Sequence, residues 1–180
     1  MTEVTFITSE LLQKCQEGDT RSQLYFYELL HKPVFNTCLR VLGNKVEAED
    51  VMQESFITAF DKLNQLDDLS KITGWLCSIA RNKSLNYITR NRKTWVDLTD
   101  QHAETEDENE DEEQHFDVAY IYKGIKHLPE GYRVIMNLYL FEGMNHEQIG
   151  DSLGISPSTS RSQYTRAKRK LREIIEEHYA

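Results

Sequence analysis

The sequence predicts an all-α protein, two small helical domains joined by a flexible acidic linker, with a helix-turn-helix in the second domain. Three observations predict it. Apolar residues recur at the helical period through most of the chain. Acidic residues are concentrated in one aperiodic stretch near the middle. Residues 145–172, NHEQIGDSLGISPSTSRSQYTRAKRKLR, read as two capped helices joined by a two-residue turn, the second strongly basic. The division expected is a first domain over 1–94, a disordered linker over 95–115 and a second domain over 116–180.

From Thr8 to Glu17, Leu11, Leu12 and Cys15 share a helical face, and Gly18 ends the helix ahead of a fresh cap at Asp19 or Thr20. In the next helix Tyr27, Leu30, Val34, Thr37, Cys38 and Val41 keep the period up to Gly43, and Pro33 is expected to kink or split it. Asn44 to Leu63 forms a third helix, burying Met52, Phe56, Ala59, Phe60 and Leu63. Its other face carries Glu47, Asp50, Gln53, Glu54 and Asp61, a pattern that by itself is usually a solvated surface. Residues 64–73 break the period and make a loop. A fourth helix resumes at Gly74 or Trp75, with Trp75, Leu76, Ile79, Ala80, Leu85, Tyr87 and Ile88 mostly apolar.

The fourth helix ends in a basic stretch: residues 76–93 contain Arg81, Lys83, Arg90, Arg92 and Lys93 and no acid, with Asn82 and Asn86 four apart. Trp75, Asn82 and Asn86 beside Arg81 and Lys83 suit unpaired bases, which stack on aromatic faces and offer their edges to amides. A core tryptophan and a surface amide are the blander alternatives.

Between Thr94 and His115 no apolar period is sustained, and ETEDENEDEE cannot bury enough surface to offset its ordering entropy. The net charge of -9 argues at first against a nucleic-acid partner, but eleven of the thirty Asp and Glu fall in residues 97–117. Outside that stretch 21 basic residues face 19 acidic ones, so the acidity belongs to the linker. Phe116 to His127 and Pro129 to Phe141 are helices, the latter turning Val134, Leu138 and Phe141 inward.

In the helix-turn-helix, Asn145 and Gln148 form a variant capping box and Ile149 and Leu153 share a face. Gly154 takes the left-handed exit, Ser156 caps the second helix and Pro157 opens it. On a wheel Ser160, Tyr164, Ala167, Leu171, Ile174 and Ile175 make one buried arc. The opposite arc is Ser158, Ser162, Thr165, Arg166 and Arg169, with Arg161 on its flank. Residues 155–172 hold six Lys or Arg and no acid. Arginines and hydroxyls on an exposed helix suit a DNA major groove. The alternative is a solvated helix whose cations complement the dipole, which accounts for Lys170 and Arg172 but not for the capped turn before them.

No apolar run approaches the roughly 20 residues needed to cross a bilayer, and the opening MTEVTFITSELLQK is mixed in character, so a cytoplasmic protein without membrane insertion is expected. Cys15, Cys38 and Cys77 are widely spaced and read as buried thiols; His31, His102 and His115 are scattered and give no metal constellation. Neither a catalytic arrangement nor a cofactor is expected, because no paired carboxylates, nucleophile–His pair or Gly-rich phosphate loop stands at a usable spacing.

Together the fragments AEDVMQESFITAF (48–60), GWLCSIARNKSLNYITRNR (74–92), LPEGYRVIMNLYLFEGMNHEQIGDSLGI (128–155) and the basic helix after them resemble bacterial sigma factors of the extracytoplasmic-function group. The resemblance covers nearly the whole chain. It implies a sigma factor, a monomer when free, that binds core RNA polymerase through the clamp helices and the flap, and promoter DNA at two elements. Asp50, Gln53 and Glu54 would dock on the clamp helices. The loop from Leu66 to Thr73 and the fourth helix would capture unstacked minus-10 bases, with Asn82 lining the pocket for a flipped base. Arg161, Ser162, Thr165 and Arg166 match the family's minus-35 contact positions. An anti-sigma factor, common in the family, is implied as a further partner. The charge segregation adds the expectation that the acidic linker threads through the polymerase's positively charged interior and keeps the free protein off DNA. Ser158, where many members have Gly, and Ser160, where a β-branched residue is usual, depart from the pattern, as does a melting loop without aromatics apart from Trp75.

Overall fold

A computed structural model describes residues 7–66, 68–91 and 118–179. The chain forms two compact units, one ending at Arg90 and the other beginning at Asn91. The linker expected over 95–115 lies outside the described residues, as do Arg92, Lys93 and Phe116.

In the first unit, α1 (Ser9–Gln16) is capped by Thr8, whose Oγ1 accepts from the Leu11 N–H at 3.2 Å, and it buries Leu12 and Cys15. Asp19 caps α2 (Thr20–Leu42): its carboxylate accepts from the Ser22 N–H at 2.8 Å. Pro33, expected to kink or split α2, does not split it: the helix runs on through the proline. A helix-interior proline costs about 3 kcal/mol. Phe26, Leu30, Val34, Cys38 and Val41 are all buried on either side of it. At about 1.5–3 kcal/mol for each large apolar side chain, that burial exceeds the cost.

Asn44 caps α3 (Lys45–Lys62) by accepting from the Val46 and Glu47 N–H groups. Met52, Phe56, Ala59 and Leu63 are buried as expected, Phe60 is half-buried, and Phe26 packs edge-on to Phe56 with centroids 6.2 Å apart. The loop that follows contains two 3-10 turns, Leu63–Gln65 and Leu69–Lys71. Asp68 holds the second through the Ser70 N–H (3.0 Å) and hydroxyl (2.7 Å), which keep its carboxyl below the usual range. Helix α4 (Ile72–Asn91) starts two residues ahead of the expected Gly74. Thr73 and Gly74 are poor helix formers, but the fully buried Ile72 anchors the first turn.

In the second unit α5 (Val118–His127), α6 (Glu130–Leu140), α7 (His146–Leu153) and α8 (Pro157–Tyr179) follow in order. Pro129 and Phe141 flank α6 as its cap positions. Ile125, Leu128, Met136, Ala167, Leu171, Ile174 and Ile175 form the core, with Ile121, Tyr132, Phe141 and Tyr164 packed against it. The inner stripe of α8 is therefore covered by α5 and α6, which fixes its other stripe toward solvent. Cys15 and Cys38 are buried, and burial pushes both thiols up to about 11; Cys77 is half-buried. Among the described residues no helix is long and apolar enough to cross a membrane, and no group of three or more His, Cys, Asp or Glu is placed to hold a metal ion.

Candidate nucleic-acid interface

The turn between α7 and α8 positions the first candidate face. The Asn145 side chain accepts from the Gln148 N–H and the Gln148 side chain accepts from the Asn145 N–H, both at 2.9 Å, which fixes where α7 begins. At its end Gly154 is left-handed (φ 69°). The Gly150 carbonyl accepts from the N–H of both Gly154 and Ile155, the latter at 3.0 Å. A Cβ on Gly150 would lie 2.7 Å from the Ile155 carbonyl oxygen, so the turn closes onto a backbone that has no room for a side chain. Ser156 Oγ then accepts from the Thr159 N–H at 3.0 Å and caps α8.

On α8 Ser158, Arg161, Ser162, Thr165 and Arg169 are exposed and Arg166 is half-buried, so all six predicted contact residues reach one surface. Ser162 donates to the Thr159 carbonyl (3.0 Å) and Thr165 to the Arg161 carbonyl (3.2 Å). Both hydroxyls spend their proton on the helix and turn acceptor lone pairs outward. Such acceptors match base amino groups, while the arginines match guanine edges or phosphates. Lys168 lies 5.8 Å from the centre of the Tyr164 ring.

Sequence reasoning passed over two side chains, one buried on this helix and one packed against it. Gln163 is 2% exposed. It stands three residues from Ser160 and four from Ala167, inside the buried arc; a search for apolar residues alone skipped it. His146 joins three helices. Its Nδ1 lies 3.0 Å from Ser160 Oγ, and its ring stacks on Tyr139 (centroids 4.9 Å, 20° between planes) and meets Tyr164 at 5.7 Å. Burial, and then the charge of Arg161, hold the imidazole below its ordinary value. Ser160, unusual as a polar residue in the arc, is fully buried and has His146 as its partner. Burial, and secondarily Tyr139, raise the Tyr164 phenol.

The second face lies on α3 and α4. Trp75, Asn82 and Asn86, seven and four positions apart, share one side of α4, flanked by Arg81 and Lys83. Asn82 and Asn86 are exposed; Trp75, Arg81 and Lys83 are half-buried. The Asn82 side-chain oxygen accepts from Arg81 Nε at 3.4 Å. On α3 Asp50, Gln53 and Glu54 are all exposed, and Glu54 reaches α4, where its carboxylate lies 3.6 Å from Lys83 Nζ. Beside them an open groove of about 520 Å³ between α2 and α3 is lined by Tyr27, His31, Phe35, Met52 and Gln53, among others. Tyr27 and His31 stack there at 5.5 Å.

Residues 26–94 match the family described as Sigma-70 region 2, and residues 119–171 match Sigma-70, region 4; the two stretches together take in more than half of the chain. The ECF RNA polymerase sigma factor SigM of Bacillus subtilis is 25% identical over 151 residues, which cover 82% of this chain and 91% of SigM. The ECF RNA polymerase sigma factor SigE of Mycolicibacterium smegmatis is 28% identical over 150 residues, 81% of this chain but only 58% of SigE. Among solved structures, the sigma factor RpoE from Bartonella quintana, determined in complex with the anti-sigma factor NepR, aligns over 84% of this chain and 95% of its own, with a TM-score of 0.48 and 20% identity.

Proposed function

Because the chain belongs to the sigma-70 family of RNA polymerase sigma factors, in the extracytoplasmic-function group, we propose that it directs promoter-specific initiation by reading a duplex minus-35 element with α8 and capturing melted minus-10 bases with α4. It is a transcription factor and not an enzyme. The observation that carries the reading is the pairing of two different surfaces in one chain. One is a capped, outward-facing basic helix with hydroxyl acceptors; the other is an amide and aromatic strip flanked by Arg81 and Lys83.

In this reading Ser158, Arg161, Ser162, Thr165, Arg166 and Arg169 contact the duplex, and Trp75, Arg81, Asn82, Lys83 and Asn86 contact the open strand. Asp50, Gln53 and Glu54 dock on the polymerase clamp helices, with the α2–α3 groove beside Gln53 able to take an apolar side chain of the partner. The second unit engages the flap. The three functional segments are 1–94, 95–115 and 116–180, and an anti-sigma factor is the expected silencing partner. Recognition energy is supplied twice, so capture of flipped bases offsets an unstacking cost of a few kcal/mol without ATP.

Run-off transcription with purified core polymerase and a promoter library tests this. Specific initiation that depends on this protein is the expected result; tight duplex binding with no effect on the polymerase would identify a conventional regulator instead. Arg166→Ala should then weaken use of the upstream element by about 5- to 150-fold, the worth of one good bidentate base contact of ~1–3 kcal/mol. Asn82→Ala should weaken use of the downstream one.

A further inference from the structure

Lys83 and Glu54 stand on different helices, yet Lys83 Nζ lies 3.6 Å from Glu54 Oε2. Pairs such as Lys45–Glu49 and Lys71–Asp68 join neighbours three or four residues apart on the chain, whereas this one bridges α3 and α4. The lysine side chain is 29% exposed and the carboxylate 67%. A lysine that is already partly withdrawn from water keeps a counter-ion in preference to none, and here the counter-ion belongs to the face assigned to the polymerase.

We propose that the Glu54–Lys83 pair couples polymerase docking to strand capture: in the free protein Glu54 occupies the ammonium that a strand phosphate needs, and a polymerase cation that takes Glu54 releases Lys83 to DNA. The inference rests on the assignment of the two faces given above. The pair can be broken by either partner, and whichever binds first removes that cost for the second. The coupling is therefore reciprocal: DNA held at Lys83 strengthens docking at Glu54 by the same factor. Its size is the strength of the ion pair itself. For a pair this open to solvent that is about two- to fivefold, and it shrinks as salt rises. Glu54 is thus a positioning residue for Lys83 as well as a docking residue, and one substitution should move the two affinities in opposite directions.

The test uses the full chain, a short fluorescein-labelled single-stranded oligodeoxynucleotide of mixed sequence read by anisotropy, and separately purified core polymerase. Glu54→Gln should bind the strand about two- to fivefold more tightly than wild type and bind polymerase more weakly. In a Lys83→Gln background the same substitution should gain no more than the loss of any other α3 carboxylate. Asp50→Asn, which removes a carboxylate from the same helix, controls for general repulsion and should change strand binding equally in both backgrounds. A gain from Glu54→Gln that is as large without Lys83 as with it would be repulsion at a distance and would overturn the coupling. No gain at all, with Lys83→Gln still weakening strand binding, would overturn the coupling and leave strand capture standing. Equal binding by wild type and Lys83→Gln would remove the assignment of Lys83 to DNA, and the coupling with it.

Discussion

Gly150→Ala offers a sharp test of how the helix-turn-helix is built, because propensity and packing predict opposite signs. In an exposed helix the change stabilises by about 1 kcal/mol, since alanine loses less backbone entropy than glycine. Here the added methyl would sit 2.7 Å from the Ile155 carbonyl oxygen, about 0.7 Å closer than the 3.4 Å at which ordinary contact begins. The obstructing atom is backbone, and it belongs to the residue whose N–H donates to the Gly150 carbonyl at 3.0 Å. Relief therefore means opening the turn. Overpacking of this kind costs about 1–3 kcal/mol, which for a unit of this size lowers the melting temperature by roughly 5–15 °C. Calorimetry or circular dichroism on the full chain reads it, with Asp151→Ala, exposed on the same helix, as the propensity control. Binding of a minus-35 duplex should fall with it, because the turn sets the angle of α8. An unchanged or higher melting temperature for Gly150→Ala would refute the reasoning.

Asn145→Ala removes one half of the capping box and should cost about 1 kcal/mol of second-unit stability in a denaturant titration. Ser160→Ala leaves the half-buried His146 ring without its 3.0 Å partner and should cost about 0.5–1.5 kcal/mol, measured the same way. The pH dependence follows from the same imidazole. Its folded value lies below the ordinary 6.5, so as pH falls through about 6.5 the unfolded chain takes up a proton that the folded chain resists, and stability is lost. Thermal melts across that range should show a steeper acid loss for wild type than for His146→Gln; parallel curves would mean that His146 carries none of it.

Much of the second unit was legible because its signals are local. Asn145, Gln148, Gly154, Ser156 and Pro157 each act within a few residues, and a 3.6-residue period puts Ser160, Ala167 and Leu171 on one side and Arg161, Ser162 and Thr165 on the other whatever the partner helices are. The first unit was less legible where burial overrode propensity. Pro33 pointed to a kink or a split, and Thr73 and Gly74 to a later start to α4. In both places the outcome turned on neighbours distant in sequence: the core beneath Phe26, Leu30 and Val34, and the site that buries Ile72.

The sequence by itself determined the all-α class, the caps and turn of the helix-turn-helix, the outward basic stripe of α8 and the family, since all of these depend on short-range periodicity and on motifs read in order. Tertiary structure alone decided that His146 would satisfy Ser160, that Gln163 would be buried, that Gly150 would press against the backbone of Ile155, and that Lys83 would meet Glu54 across two helices. Each of these is a meeting between residues on different elements or across a turn. A one-dimensional pattern carries the orientation of every side chain about its own helix axis; it does not carry the distance to a helix that folds back beside it.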